Sequence, residues 1–135
     1  MAYLEIEHLE KSFGPNRVVK DFSLGIEKGE FISLLGPSGS GKTTLLNLVG
    51  ALDTATEGRV VVAGHEVTAS SRRDLFRYRR ETVSFVFQTF NLLARTTALQ
   101  NVELPLIYAG KTPHERHAQA LQALENVGRD RSRPL

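Results

Sequence analysis

A glycine-rich segment, residues 36–43, constrains the fold of this chain more than any other feature. It fits the pattern Gly-x-x-x-x-Gly-Lys-[Ser/Thr] at every fixed position. A loop of this kind curls around phosphate groups, and its glycines (Gly36, Gly39 and Gly41) are expected to supply positive φ angles and room for close approach. The pattern predicts that Lys42 contacts phosphate oxygens and that the Thr43 hydroxyl ligates Mg²⁺. The sequence therefore predicts a phosphate-binding loop between a strand and a helix.

The residues on either side of the loop match that expectation. Residues 31–35 are almost wholly apolar without alternation, which is typical of a strand covered on both faces in a parallel sheet. After the loop, apolar residues recur at helical spacing from Leu45 to Leu52. A flexible glycine–serine linker would not lie between a buried strand and an apolar helix face. The flanks therefore favour the phosphate-binding interpretation.

The rest of the chain alternates between predicted strands and predicted helices. Capping residues predict two helices. One begins after Ser71, with Asp74 three residues later, and the other begins at Thr112, with Glu115 three residues later, and stops at Gly128. Four further strands are predicted over residues 3–9, 22–26, 59–63 and 83–87, with turns at residues 14–16 and 28–29.

Composition excludes several classes of protein. The 135 residues are 41% hydrophobic and 24% charged, which suits one soluble globular domain. The apolar stretches fall far short of the roughly 18 residues of a membrane-spanning helix, and the acidic start does not look like a targeting segment. Zero cysteines exclude disulfides, a thiol nucleophile and a cysteine-ligated metal. We expect a cytoplasmic chain that does not cross a bilayer by itself.

Basic residues concentrate in two stretches, although the formal net charge is only +2. Residues 71–81 contain five arginines against Asp74 and Glu81, and the tail from Gly128 contains three against Asp130. Basic patches can bind nucleic acid, but a solvated face or a protein contact is the commoner role of a short basic helix. The arginines are Arg72, Arg73, Arg77, Arg79 and Arg80 in the first stretch and Arg129, Arg131 and Arg133 in the second.

With these motifs and their surroundings, the sequence resembles the nucleotide-binding domain of an ABC transporter. The resemblance extends from Leu4 to about Gly128 and includes Lys-Ser-Phe-Gly at 11–14, Glu-Lys-Gly-Glu at 27–30 and Thr-Thr-Leu-Leu-Asn at 43–47. Phe-Val-Phe-Gln at 85–88 and the stretch at 97–106 are similar to the lipoprotein-releasing and macrolide-exporting branch. The resemblance implies an α/β fold, the P-loop NTPase core of an ABC ATPase with an N-terminal antiparallel β subdomain.

The resemblance also implies roles for individual residues. Phe13 occupies the position of the family's adenine-stacking aromatic, which is more often Tyr. Gln88 occupies the position of the Q-loop glutamine, which reaches Mg²⁺ and the attacking water and relays the nucleotide state to the membrane subunit. Lys42 and Gln88 would then be catalytic, and Thr43 and Gln88 would hold Mg²⁺. The residues expected to bind ATP are Phe13, Gly36, Pro37, Ser38, Gly39, Ser40, Gly41, Lys42, Thr43 and Thr44.

Three motifs of the family have no counterpart in the sequence. These are the Leu-Ser-Gly-Gly-Gln signature, the apolar strand that ends in Asp-Glu, and the switch histidine; the chain has no Asp-Glu pair, and its four histidines lie before the place of the switch histidine. We therefore expect residues 1–135 to be the N-terminal portion of one nucleotide-binding domain, with the β subdomain, P-loop, Q-loop and start of the helical subdomain, and with its C-terminal part missing. Such a portion is expected to bind ATP and Mg²⁺ without hydrolysing ATP.

The implied partners are ATP, a transmembrane permease subunit or domain and a second nucleotide-binding domain, with no nucleic acid. The parent protein would couple ATP hydrolysis to export or lipoprotein release at the cytoplasmic face of the inner or plasma membrane. Two alternatives stay open. A guanylate-kinase-like enzyme has a similar Gly-Pro-Ser-Gly loop, although that loop follows a single strand, whereas 35 residues precede Gly36 here. The other alternative is a nucleotide-sensing module whose basic helix binds nucleic acid.

Overall fold

The computed structural model describes residues 2–128, and in that part of the chain four strands and four helices are formed. The chain divides into two compact units between Val86 and Phe87, and the second arginine-rich stretch lies outside the described residues. In chain order the elements are β1 (Leu4–Phe13), β2 (Asn16–Ile26), α1 (Lys42–Val49), β3 (Glu57–Val62), β4 (His65–Glu66), α2 (Arg72–Glu81), α3 (Ala98–Tyr108) and α4 (Pro113–Asn126).

The first unit is built on an antiparallel sheet of order β2-β1-β3-β4. β1 and β2 form a hairpin in which Phe13 lies opposite Asn16 at the turn and Leu4 lies opposite Ile26 at the open end. On its other side β1 pairs with β3, where Leu4 lies opposite Val62. The predicted antiparallel β subdomain is therefore confirmed. Its strands are longer than predicted because backbone pairing continues past residues whose side chains do not alternate.

The core of this unit joins the sheet to α1. Leu9 of β1 and Val60 of β3 are fully buried, and Leu45 and Leu48 of α1 belong to the same apolar cluster. The predicted apolar stripe of the helix is thus confirmed at these two positions. The helix ends earlier than the pattern indicated, and Leu52 is exposed. Burial of the stripe fixes α1 on the sheet and so fixes the loop that precedes it.

Two side chains of α2 bond the last residue of α1 and the segment just after it. The Tyr78 hydroxyl donates to the Val49 carbonyl at 2.6 Å, and the Arg79 guanidinium donates to the Ala51 carbonyl at 2.8 Å. Burial raises the pKa of Tyr78 to about 12. Carbonyls at a helix C-terminus have no partner inside the helix, so these donors satisfy groups that otherwise need water. α2 begins as predicted, with the Ser71 hydroxyl accepting from the Asp74 N–H.

The second unit contains α3 and α4, which pack against each other. Both helices begin with a reciprocal capping box, Thr97 with Gln100 in α3 and Thr112 with Glu115 in α4. The hydrogen bonds from the Thr112 backbone and hydroxyl lower the pKa of the Glu115 carboxyl. The prediction of α4 is confirmed, and Gly128 just beyond it has a positive φ of 68°. The sequence analysis did not predict α3.

Two predicted strands are wrong. Neither residues 31–35 nor residues 83–87 pair as strands with any described part of the chain. Phe31 and Leu35 are 91% and 94% exposed, and Val86 is fully exposed, so neither segment is covered on both faces. The physical reason is that a strand exists through hydrogen bonds to a neighbouring strand. Apolar composition alone does not supply that neighbour.

Gly58 is the point at which β3 approaches β1 too closely for a side chain. Its φ is +91°, and an added Cβ would lie 2.3 Å from the His8 carbonyl oxygen. We expect Gly58→Ala to lower the free energy of unfolding by about 3 kcal/mol, from backbone strain and overlap together.

Chemical denaturation measures this loss of stability, with Gly64→Ala as the matched control. Gly64 has a φ of +81° and nothing within 4 Å of an added Cβ, so its change should cost about 1 kcal/mol. Equal losses in the two variants would refute the close approach.

Candidate functional site

The phosphate loop curls around the side chain of Lys42. The Lys42 ammonium donates to the Gly36 carbonyl at 2.6 Å and to the Pro37 carbonyl at 2.8 Å, and it lies 3.2 Å from the Ser40 hydroxyl. The Ser40 N–H closes the turn by donating to the Pro37 carbonyl at 3.2 Å. The lysine that the pattern assigned to phosphate contact is therefore part of the loop's own hydrogen-bond network.

The three loop glycines serve two different purposes. Gly39 and Gly41 have positive φ values of 82° and 91°, as predicted. The prediction of a positive φ is wrong for Gly36, which is not among the residues with a positive φ. At Gly36 an added Cβ would instead lie 2.8 Å from the Ser40 hydroxyl. Close approach within the loop, rather than backbone conformation, favours glycine there, because a Cβ would displace the Ser40 hydroxyl.

The N-terminus of α1 follows the loop directly. Its cap residue is Gly41, which provides no side-chain acceptor, and the first turn contains no acidic residue. Lys42, Thr43 and Thr44 form that turn, with Thr43 exposed and Thr44 half-buried. The first N–H groups of a helix lack partners inside it, and the helix dipole places partial positive charge at this end. The start of α1 is therefore suited to an anion.

A cavity of about 580 Å³ lies between the phosphate loop and β2. Three cations line it, Arg17, Lys20 and Lys42, and no carboxylate is among its lining residues. Arg17 is ion-paired with Glu10, whereas Lys20 is exposed. A cavity with this imbalance attracts anionic ligands. The lining residues are Asn16, Arg17, Val18, Val19, Lys20 and Phe22 on β2, Leu34 and Leu35, and Gly39, Ser40, Gly41, Lys42 and Leu45.

The sequence analysis did not predict the β2 side of this cavity. The Val18 carbonyl oxygen would lie only 3.0 Å from a Cβ added at Gly41, so β2 and the loop are in close contact. Arg17 and Lys20 have no local pattern that separates them from ordinary surface cations. The sheet topology, which places β2 beside the loop, is the signal that identifies them.

Phe13 lies at the end of β1, where 51% of it is exposed. It faces Asn16, which lines the cavity, but Phe13 itself is not among the described residues that line it. The Lys11 ammonium lies 4.9 Å from the centroid of the Phe13 ring. The exposed part of the ring can accept a flat group, and its role as an adenine platform stays a prediction.

Lys11 is a functional candidate that the sequence analysis missed. Only 9% of the residue is exposed, and its ammonium donates to the Asp53 carboxylate at 3.0 Å and to the Thr54 carbonyl at 2.6 Å. The hydrogen bonds from Lys11 and from the Thr54 backbone lower the pKa of Asp53. The face of Phe13 is therefore connected to the segment that follows α1.

The predicted metal ligands, Thr43 and Gln88, lie in different units. Gln88 is exposed and belongs to the second unit, so its role towards Mg²⁺ stays a prediction. Among residues 2–128, no group of three or more histidines and carboxylates could hold a metal ion. Magnesium that is carried on phosphates needs only one or two protein oxygens. The exposed Thr43 hydroxyl at the start of α1 fits that requirement.

The basic helix α2 is exposed over most of its arginines. Arg79 is the exception, since it bonds the Ala51 carbonyl and lies 5.0 Å from the Phe76 ring. Arg80 is ion-paired with its neighbour Glu81. The role of the first arginine-rich stretch as a solvated face or a protein contact stays a prediction. Within residues 2–128, no helix combines the length and the apolarity needed to cross a membrane.

Comparisons with known proteins extend over nearly the whole chain. The family model described as "ABC transporter" matches residues 19–135. The macrolide export ATP-binding/permease protein MacB of Marinobacter nauticus is 45% identical over 129 residues, which is 93% of this chain and 20% of that protein. An ABC transporter ATP-binding protein of Thermotoga maritima is 47% identical over 110 residues, which is 82% of this chain and 47% of that protein.

Two solved structures have the same fold as this chain. One is a dimeric post-hydrolysis state of the ATP-binding cassette MJ0796 bound to ADP and Pi, with 40% identity and a TM-score of 0.80. The other is a dimeric structure of the same cassette, with 39% identity and a TM-score of 0.82. Each match covers 90% of this chain and 56% of the cassette chain. The chain thus spans about a fifth of the MacB protein and about half of the cassette.

Proposed function

This chain belongs to the ABC transporter family, and on that premise we propose that its phosphate loop binds MgATP as part of an ATPase domain. Its fold is the P-loop NTPase core of an ABC ATPase with an N-terminal antiparallel β subdomain. The observation that carries the proposal is the cavity beside the start of α1, which three cations and no carboxylate line. The family match also disfavours the guanylate-kinase-like alternative.

In the proposed complex Lys42 exchanges its bonds to the loop carbonyls for bonds to phosphate oxygens. The backbone N–H groups of residues 38–44, at the N-terminus of α1 and just before it, bind the same phosphates. The Thr43 hydroxyl would hold Mg²⁺, which would neutralise phosphate charge when bound, and the resemblance to the family implies a role towards the same ion for Gln88. Phe13 stacks on the adenine. The solved cassette bound to ADP and Pi supports a nucleotide as the ligand of this fold.

We further propose that the whole protein couples ATP hydrolysis to export or lipoprotein release through a transmembrane permease. It would act with a second nucleotide-binding domain, with Lys42 and Gln88 in catalytic roles, at the cytoplasmic face of the membrane. The MacB relatives are macrolide export ATP-binding/permease proteins, which supports the permease and the export. The dimeric state of the solved cassette supports the second domain. Nucleic acid is not part of the proposal.

Titration with three ligands tests the nucleotide site directly. In the longest natural protein that carries this sequence, we expect ATP, GTP and inorganic tripolyphosphate all to bind in the presence of Mg²⁺. Tripolyphosphate isolates the contribution of the loop and α1 because it has no base. Isothermal titration calorimetry gives the three dissociation constants. Failure of all three ligands to bind would refute the proposed function.

Phe13→Ala tests the base side of the same site. We expect it to weaken the binding of ATP and GTP alike by about tenfold, because stacking contributes roughly 1 to 3 kcal/mol and discriminates poorly between bases. Tripolyphosphate should bind as before. Phe13→Tyr keeps an aromatic ring and serves as the matched control. A loss confined to ATP would count against stacking by this ring.

A further inference from the structure

We infer that Lys11 and Asp53 are a positioning pair that holds the Phe13 ring and so sets the affinity of the site for the base of a nucleotide. The inference rests on the proposed function, because it concerns the base side of the same site. Neither residue has a role in the sequence pattern of the phosphate loop. Their role is seen only in how the folded chain brings them together.

The ammonium of Lys11 is enclosed by three partners. Asp53 and Thr54 accept two of its three donors, at 3.0 and 2.6 Å, and the centroid of the Phe13 ring lies 4.9 Å away. A cation within about 6 Å of a ring centroid is attracted to the ring face. A buried charge needs such partners, since an unpaired one is costly. The lysine cannot leave this arrangement without losing all three contacts, and so the ring it contacts is restrained.

The same pair connects Phe13 to the helix of the phosphate loop. The segment after α1 is bonded to α1 itself, since the Leu52 N–H donates to the Asn47 carbonyl at 2.9 Å. That segment is also bonded to the end of β1: the Thr56 N–H donates to the Glu10 carbonyl at 2.9 Å, and the Thr56 hydroxyl accepts from the Ser12 N–H at 3.0 Å. Lys11 and Asp53 add a side-chain connection between the two elements.

This connection has a consequence for binding. Phe13 is half exposed, and the Lys11 ammonium lies over the face of its ring. A ring that is already ordered loses less conformational freedom when a base stacks on it than a free ring does. Phe13 and the phosphate loop must also lie at the separation that lets one nucleotide contact both of them. We therefore expect loss of the pair to weaken base binding while phosphate binding is retained.

The experiment compares ligands with and without a base. Lys11→Met removes the charge at nearly constant length, and we expect it to weaken ATP binding by about threefold, less than Phe13→Ala does, and to leave tripolyphosphate binding unchanged. Asp53→Asn keeps the lysine but removes its carboxylate, and we expect the same pattern with a smaller change in ATP affinity. Lys28→Met, at an exposed turn, is the control that should change neither ligand.

A second readout reports on the ring position itself. These 135 residues contain no tryptophan, so Phe13→Trp introduces one fluorophore at the proposed platform, and the protein with Phe13 serves as the blank. We expect ATP, but not tripolyphosphate, to quench its emission, and we expect Lys11→Met in the same background to reduce that quenching at saturating ATP. A change in overall stability alone would not alter quenching of the fully bound protein.

Three outcomes would overturn the inference. Equal losses of ATP and tripolyphosphate affinity in Lys11→Met would show that the pair acts on the whole fold, and unchanged ATP affinity would show that it does not act on the base. If Lys11→Met does not fold, Asp53→Asn decides between the same results. If the unmodified protein binds neither ligand, the proposed function fails first, and the inference fails with it.

Discussion

Lys42→Ala is expected to weaken ATP binding by about tenfold to a hundredfold. Hydrogen bonds to charged groups contribute about 1.5 to 3 kcal/mol each, so loss of the lysine contacts to phosphate produces an effect of that size. Tripolyphosphate affinity should fall in parallel, because the lost contacts are to phosphate oxygens. This parallel loss separates Lys42 from Phe13, whose substitution affects only ligands with a base. Calorimetric titration of both ligands measures the two losses.

The control for Lys42→Ala must separate binding from folding. Lys42 bonds the Gly36 and Pro37 carbonyls, so its removal also changes the loop. Circular dichroism and thermal melting of the variant show whether the fold is kept, and Lys28→Ala controls for the loss of one surface charge. ATP affinities that are equal in the unmodified protein and in Lys42→Ala would remove this lysine from the site.

The second large effect concerns self-association. Expressed by itself, the 135-residue polypeptide is expected to associate and to melt without cooperativity. Phe31, Leu35 and Val86 are almost completely exposed, in segments without strand pairing in the described structure. Exposed apolar surface of this kind promotes association between copies of a chain. Size-exclusion chromatography with light scattering, over a range of concentrations, measures the associated fraction.

Matched substitutions test the cause of that association. Phe31→Ser combined with Val86→Ser should increase the monomeric fraction. Phe76→Ser should not increase the monomeric fraction, although Phe76 is also exposed, because the backbone of α2 is hydrogen-bonded within the helix.

Supplying the remainder of a cassette, in cis or as a separate polypeptide, is expected to restore a monodisperse protein and ATP turnover. A monodisperse, cooperatively melting 135-residue polypeptide would contradict the prediction. The resemblance implies that the glutamate of the family's Asp-Glu pair is the general base, so magnesium-dependent turnover abolished by Lys42→Ala would mean that another residue takes that role here.

The sequence predicts helix starts and the phosphate loop well, because these features depend on residues that are close together along the chain. Ser71 and Thr112 begin helices because a hydroxyl can reach the N–H three residues later, and both helices form as predicted. The phosphate loop is equally local, since its turn needs glycine at Gly39 and Gly41 whatever the rest of the chain does. Chemistry within a few residues is sufficient for these elements.

α3 shows how a local signal can be overlooked. Thr97 and Gln100 form a capping box of the same kind as the one at Thr112, and the sequence displays both residues. The capping box predicts this helix, whereas the family resemblance of the same stretch says nothing of its secondary structure. Pro105 inside the helix also argues against a helix, because proline removes one backbone donor. A single proline near the C-terminal end does not prevent this helix from forming.

What the sequence does not predict depends on contacts between distant segments. The apolar pattern of residues 31–35 is compatible with a buried strand, but pairing requires a partner strand that composition does not reveal. The cavity also depends on distant segments, because Arg17 and Lys20 line it only when β2 lies beside the loop. Lys11 and Asp53 are 42 residues apart in sequence. No pattern along the chain connects them.

The bonds from α2 to the end of α1 imply unequal tolerance to evolutionary change along one short helix. At position 78 the side chain must be apolar enough to be buried and must also donate a hydrogen bond to the Val49 carbonyl. At position 79 it must be long enough to donate to the Ala51 carbonyl. Phenylalanine at position 78 would keep the packing and leave a carbonyl without its donor. Arg72, Arg73 and Arg77 are exposed and make no comparable bond among the described residues. Mutational drift in this helix is therefore expected to spare Tyr78 and Arg79 while the arginines around them are exchanged freely.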